Sequence, residues 1–95
     1  MLKIVAKFVI NEDKVNEFKE YAAKLAAETR KEDGCISYQL LQNNDNSEML
    51  IFIEEWKDQD AINKHNNSKH FVEILPKLTE NSKKEPAITV NTVVI

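Results

Sequence analysis

The sequence predicts an α+β fold of the ferredoxin-like, split βαβ type, in which an antiparallel four-stranded sheet carries its helices on one face. The chain has 95 residues, which suits one domain spanning residues 1–95. Segments rich in β-branched residues and segments of helical periodicity follow one another as strand, helix, strand, strand, helix, strand. The two strands that this topology places at the centre are the most apolar.

The first strand and the first helix are predicted from periodicity. Residues 2–10 are rich in β-branched side chains. The apolar face of this strand consists of Leu2, Ile4, Ala6, Phe8 and Ile10. Asn11 is the predicted N-cap of a long helix, and Gly34, the only glycine, is its predicted stop. The apolar stripe of that helix consists of Val15, Phe18, Ala22 and Leu25.

A hairpin is predicted next, because the apolar segments 35–42 and 49–56 flank the polar turn 43–47. Asp58 is the predicted cap of a short helix over residues 59–65.

The last helix and strand follow from a cap and a second apolar stripe. Ser68 is the predicted cap of a helix that begins at Lys69. Its predicted buried side consists of Phe71, Ile74, Leu75 and Leu78. Pro76 lies inside this pattern and should kink the helix or end its regular part. Residues 87–95 form the predicted final strand.

Both faces of the central strands are apolar. On the third strand, Met49, Ile51 and Ile53 lie on the face opposite Leu50 and Phe52. Helices cover only one face of such a sheet, and monomers rarely expose a large contiguous apolar patch. We therefore expect a homodimer, a dimeric α+β barrel in which two sheets pack face to face and enclose apolar space.

Composition excludes several classes of function. A net charge of −3 argues against nucleic acid and anionic membranes as partners. No apolar run approaches the roughly 20 residues of a membrane span. The first ten residues alternate lysine with apolar residues and lack a small-residue cleavage site, so we expect no signal peptide and a cytoplasmic protein.

The segment 54–71 holds the only tryptophan and both histidines. His65 and His70 are five residues apart, whereas metal ligands on one helix face are three or four apart, so we expect no metal site. Cys35 lies on the same strand face as Ser37 and Gln39, which favours a small, half-buried packing residue over a nucleophile. A single glycine excludes glycine-rich phosphate loops, and no cofactor is predicted.

Acid–base chemistry is the stronger possibility. Strand alternation places Glu54 and Glu55 on opposite faces, and a carboxylate against apolar walls has a raised pKa. The alternatives are that the strand frays into solvent or that the inward glutamate pairs with Arg30 or a lysine. His65 is either a proton shuttle or a structural residue at a helix end. The aromatic residues Trp56, Tyr38 and Phe52 suit either the core or a pocket wall.

The motif E-x-G-C-x-x-Y-x-L at 32–40, the E-x-W at 54–56 and the residues Ala61, His65, Ser68, His70 and Phe71 resemble the antibiotic biosynthesis monooxygenase family. Within it, the chain is similar to the small quinol monooxygenase-like bacterial proteins. The resemblance implies a dimeric α+β barrel that oxidises quinols or polycyclic anthrones with O₂, often without flavin, haem or metal.

Nine residues are candidates for the site. Carried over by position, the resemblance implies that Trp56 flanks the substrate and that His65 is the first candidate proton shuttle, with Glu54, Glu55, Tyr38 and Arg30 as further candidates. The candidate catalytic residues are thus His65, Glu54 and Glu55, and Phe52, His70 and Phe71 complete the candidate substrate contacts.

Three hypotheses for function follow. The first is a cofactor-independent monooxygenase acting on a quinol-like or other electron-rich aromatic. Phe52 stands where anthrone-oxidising relatives have asparagine, and the first strand lacks the asparagine of the haem-degrading branch. Another branch, which processes the small carbonyl signal autoinducer-2, shares His65, Ser68 and His70, so an isomerase or degrading enzyme is the second. The third is a non-catalytic dimeric ligand-binding or stress-response module.

Overall fold

The computed structural model describes residues 1–95, and its elements follow the predicted order. They are β1 (Leu2–Val9), a 3₁₀ turn (Glu12–Lys14), α1 (Val15–Thr29), β2 (Cys35–Gln42), β3 (Met49–Trp56), α2 (Gln59–Asn66), α3 (Lys69–Glu80) and β4 (Ala87–Thr92). The four strands form one antiparallel sheet in the order β2-β3-β1-β4. The predicted α+β, ferredoxin-like fold is therefore confirmed. None of the helices is long and apolar enough to span a lipid bilayer.

The hydrophobic core lies between the sheet and the helices. On β3, alternate residues such as Leu50 and Phe52 are buried, while their neighbours Ile51 and Ile53 are half-buried on the opposite, open face. The rings of Phe8, Phe18 and Phe52 pack with centroids 5.3, 5.7 and 6.1 Å apart. Strand alternation therefore sorts side chains between a packed face and an open face, as the sequence predicted.

The predicted caps have mixed outcomes. The side chains of Asp58 and Ser68 accept hydrogen bonds from the backbone N–H of Ala61 and Phe71, at 2.9 and 3.3 Å, so both predicted N-caps are confirmed. Asn11 lies at the N-cap position of the 3₁₀ turn that leads into α1, where its backbone carbonyl accepts a hydrogen bond from Lys14 N–H, but its side chain makes no capping bond.

Gly34 does not stop α1, which ends at Thr29. The glycine has no positive φ angle, so it supplies no left-handed helix cap. Its role is close packing, since a Cβ atom at this position would overlap the Cβ of Ala61 on α2. The only glycine of the chain therefore sets how closely α2 approaches the loop before β2.

Pro76 lies within α3, and the helix continues past it to Glu80. Of the two predicted effects, a kink or an end to the regular helix, the second is wrong. Both Pro76 and Val72, whose carbonyl loses its helical partner, lie on the exposed side of α3. Water can therefore satisfy that carbonyl, which limits the penalty for an internal proline.

Candidate functional site

An apolar cavity of about 360 Å³ opens on the helix-facing side of the sheet. The helices contribute Leu25, Ile62, His65, Asn66, Phe71, Leu75 and Leu78, and the strands contribute Ile4, Ala6, Phe8, Tyr38, Phe52, Glu54, Ile88 and Val90. Ile88 and Val90 are still about half exposed. The mouth of the cavity therefore lies beside β4.

The cavity lies inside one chain, on the side of the sheet opposite the open face. The apolar space that we expected between the sheets of two protomers is a separate feature and stays a prediction. Leu78 is the only residue of α3 that is fully buried. Phe71 and Leu75 remain half-buried because they line empty space instead of packing on β4.

Glu54 is a buried carboxylate in the wall of this cavity, with 6% of its surface exposed. Its Oε1 accepts a hydrogen bond from Trp56 Nε1 at 2.9 Å. Burial raises the pKa of Glu54 to about 7, although the Trp56 hydrogen bond opposes the shift. A group with this pKa can both give and accept a proton at neutral pH.

Glu55 lies on the open face, where its Oε1 is 3.3 Å from Lys3 Nζ. The prediction that the two glutamates point to opposite faces is confirmed. The alternative in which Arg30 pairs with the inward glutamate is wrong. Arg30 instead donates two hydrogen bonds to the backbone carbonyl of Tyr38, at 2.7 and 3.1 Å.

His65 is the second titratable group of the cavity wall and is only 1% exposed. Its ring packs against Trp56 and Phe71, with centroid distances of 4.6 and 4.8 Å. Nδ1 lies 2.7 Å from Glu32 Oε2, while Nε2 is buried without any hydrogen-bond partner. Burial lowers the pKa of His65 despite the nearby Glu32 carboxylate. A neutral ring that donates Nδ1–H to Glu32 leaves a free lone pair on Nε2.

Glu32 also joins the second histidine to this group, because its Oε2 lies 2.8 Å from His70 Nε2. The sequence argument from a five-residue separation was therefore wrong about geometry. His65 ends α2 and His70 begins α3, so the chain turns between them and both rings reach one oxygen. Glu32 was not predicted as a site residue, although its place in the E-x-G-C motif was the available signal.

The nine candidate residues divide by location. Those that line the cavity are Tyr38, Phe52, Glu54, His65 and Phe71. Trp56 is fully buried beneath the wall and holds Glu54 and His65 in place. Glu55, Arg30 and His70 are not part of the cavity wall. Burial, together with the charge of Glu54, raises the pKa of Tyr38, so this phenol stays protonated.

The sequence matches the family described as Antibiotic biosynthesis monooxygenase over residues 1–77. The chain therefore belongs to the antibiotic biosynthesis monooxygenase family.

Individual relatives agree with this assignment. The chain is 28% identical over 87 residues to "Putative monooxygenase Rv0793" of Mycobacterium tuberculosis, covering 92% of this chain and 85% of that protein. It is 30% identical over 71 residues to "Putative monooxygenase YcnE" of Bacillus subtilis, with 75% of each chain covered. Among solved structures, a conserved protein from Methanosarcina mazei Go1 superposes with a TM-score of 0.93 at 41% identity, covering 95% of this chain and 89% of that one.

Proposed function

We propose that this chain is a monooxygenase that oxidises a quinol-like or other electron-rich aromatic molecule with O₂. The observation that carries the proposal is an apolar cavity whose wall includes Glu54 and His65, a histidine with an unpartnered ring nitrogen. A cavity of about 360 Å³ lies within the size range of small-molecule sites. The aromatic rings of Tyr38, Phe52 and Phe71 offer flat, apolar walls to an aromatic substrate.

The first step is deprotonation. His65 Nε2 accepts a hydroxyl proton of the quinol, and Glu32 stabilises the imidazolium through its bond to Nδ1. The resulting phenolate is electron-rich enough to pass one electron to O₂, which gives superoxide and a substrate radical. These two combine to form a carbon–oxygen bond, and the peroxide takes back the proton from His65.

The second step breaks the peroxide bond. In its ionised form, Glu54 accepts the proton of the carbon that carries the peroxide. The electrons of that carbon–hydrogen bond form a new carbonyl as the oxygen–oxygen bond breaks, and the departing hydroxide takes the proton from Glu54 and leaves as water. One oxygen atom enters the substrate, which supplies all the electrons needed, and both side chains return to their starting states.

The composition of the cavity supports this proposal over the two alternatives. No lysine or arginine lines the cavity, so it offers poor complementarity to a phosphorylated carbonyl signal. A non-catalytic module does not require a buried carboxylate with a pKa near neutrality in the same cavity wall as a histidine with an unpaired ring nitrogen, and such groups cluster at catalytic sites.

We further propose that the chain is a homodimer formed through the open face of the sheet. This face presents the half-buried Val5, Met49, Ile51 and Ile53, and a second copy would bury them. Replacing Ile51 with Glu would place charges in that interface. Sedimentation should then show the wild type at twice the 11.0 kDa chain mass and the variant at the chain mass. A wild type that sediments as a single chain would contradict the dimer.

The reaction is tested by measuring oxygen uptake with a menadiol-type quinol and then determining the mass of the product by mass spectrometry. His65→Gln keeps the volume of the ring approximately but removes the base, and we expect a rate loss of about 10²–10⁴-fold. Lys64→Ala, on the exposed side of the same helix, is the matched control and should retain the wild-type rate. The proposal fails if the protein does not raise the rate above the uncatalysed reaction, or if the product gains no oxygen atom.

A further inference from the structure

A further cluster of chemically active side chains is centred on Glu32 and includes His65 of the cavity wall. Glu32, His65 and His70 each present one donor atom, and these three atoms lie within 4.8 Å of one another. We propose that Glu32, His65 and His70 form a binding site for a divalent transition-metal ion, and that zinc is the metal this donor set fits best. Two imidazoles and a carboxylate are donors that zinc commonly takes in proteins.

The distances require little rearrangement. Zinc binds histidine nitrogen and carboxylate oxygen at about 2.0–2.2 Å in a tetrahedral arrangement, so neighbouring ligand atoms lie about 3.4 Å apart. Glu32 Oε2 is 2.7 Å from His65 Nδ1 and 2.8 Å from His70 Nε2. These two separations are about 0.6 Å shorter than ligand separations around zinc, so the donor atoms have to move apart by about that distance to admit the ion.

The surrounding structure holds the donors in place. Trp56 and Phe71 pack against the ring of His65, and Ser68 caps α3, which carries His70. Access is available from one side, because the side chains of Glu32 and His70 are 17% and 19% exposed while that of His65 is 2% exposed. A rigid inner ligand with two partly exposed outer ligands allows an ion to bind from solvent without unfolding.

Both histidines can bind the ion as neutral rings. In the metal-free state, each donates an N–H to Glu32 Oε2. When the proton moves to the other ring nitrogen, a lone pair becomes available at the shared centre.

This change has a consequence for the proposed reaction, on which the following statement rests. A metal on Nδ1 leaves the proton of His65 on Nε2, the atom assigned as the base in the cavity. Metal binding would therefore turn this atom from a proton acceptor into a donor, and it would inhibit the monooxygenase.

Binding is tested first without any substrate. Full-length protein stripped with a chelator is titrated with zinc by calorimetry and with cobalt by visible absorption, which reports coordinated nitrogen and oxygen ligands. We expect one ion per chain, and affinity should fall at least about 100-fold in Glu32→Gln and in His70→Ala, since each removes a ligand. Asp33→Asn removes the same charge from an exposed neighbour and should bind like the wild type.

Two results would overturn the site: no saturable binding of either metal, or equal affinity in the wild type and His70→Ala. Inhibition is then measured by oxygen uptake on the metal-free wild type. Its midpoint in zinc should match the calorimetric midpoint, and full activity at saturating zinc would overturn the inhibitory role. Because the binding measurement needs no turnover, an inactive protein that binds zinc would refute the proposed function and leave the metal site standing.

Discussion

The two faces of β3 show how the same residue types acquire different properties on neighbouring positions of one strand. Glu54 faces the helices, is 6% exposed and has a pKa of about 7. Glu55 faces the open side and is paired with Lys3 at 3.3 Å. The apolar pair Phe52 and Ile53 divides in the same way, since Phe52 is 2% exposed and Ile53 is half-buried.

The difference teaches that desolvation, and not sequence context, makes one carboxylate chemically useful. A glutamate in contact with water and a lysine keeps its charge at little cost. A glutamate that shares a cavity with Phe52, Tyr38 and Phe71 has to ionise without full hydration, which disfavours its charged form.

The largest effect on stability is expected for Phe52→Ala. Phe52 packs against Phe8, Phe18 and Tyr38, and its truncation should cost about 3–5 kcal/mol in the free energy of unfolding. Ile53→Ala removes a half-buried side chain and should cost about 1 kcal/mol in dilute protein. Urea unfolding measures both, and equal losses would contradict the division between the two faces. A larger Ile53 effect at high protein concentration would instead support the dimer.

The second prediction concerns pH. The pKa of Glu54 is raised in the folded state from 4.5 to about 7, so folding favours its protonated form. The contribution of protonated Glu54 to the free energy of unfolding is fully present below pH 4.5. It is lost as the pH rises through 7, a change of about 3 kcal/mol. Glu54→Gln should therefore be more stable than the wild type at about pH 8 by 1–3 kcal/mol, and much less so at about pH 5.

Glu55→Gln is the matched control for this experiment. It removes the same charge from the open face, where solvent screens the pair with Lys3, and its effect should be nearly the same at the two pH values. Urea unfolding at both pH values measures all three proteins. A Glu54→Gln variant that follows the wild-type pH dependence would show that Glu54 is not a raised, buried acid.

The third prediction tests how α2 is positioned beside the cavity. Gly34→Ala would place a Cβ atom onto Ala61 and should cost about 1–3 kcal/mol. Because α2 also carries His65, the variant should lose oxygen-uptake activity as well as stability. The double variant with Ala61→Gly recreates the space and should recover most of both, and an absence of recovery would exclude the proposed close contact.

The smallest effect is expected on the open face. Lys3→Gln breaks the pair with Glu55, and its free energy of unfolding should stay within about 0.5 kcal/mol of the wild type. Thermal unfolding in dilute protein measures this change. A loss above about 2 kcal/mol would mean that the open face depends on charge pairing more than its exposure indicates.

Much of the fold was predictable because local rules and tertiary packing agree. The bounds of β2 and β3 match the predicted ranges, and the caps at Asp58 and Ser68 form as expected. The predictions failed where a tertiary contact outweighed a local sequence preference. Gly34 suited a helix stop but serves a contact with Ala61.

For the site, the sequence indicated which side chains have useful chemistry but not which ones meet. It placed Glu54 and Glu55 on opposite faces by alternation, and it marked Tyr38, Phe52, His65 and Phe71 as candidates, all of which line the cavity. Glu32 was overlooked, because it lies in a loop and its role depends on contacts with one histidine from α2 and one from α3.

The sequence alone determined the order of the elements, the split of each strand into two faces, and the placement of Glu54 and Glu55 on opposite faces. Those features follow from periodicities within single segments. Tertiary structure decided the location of the cavity, the raised pKa of Glu54, and the meeting of His65 and His70 at Glu32. They depend on desolvation and on distances between segments far apart in the chain, which no local pattern encodes.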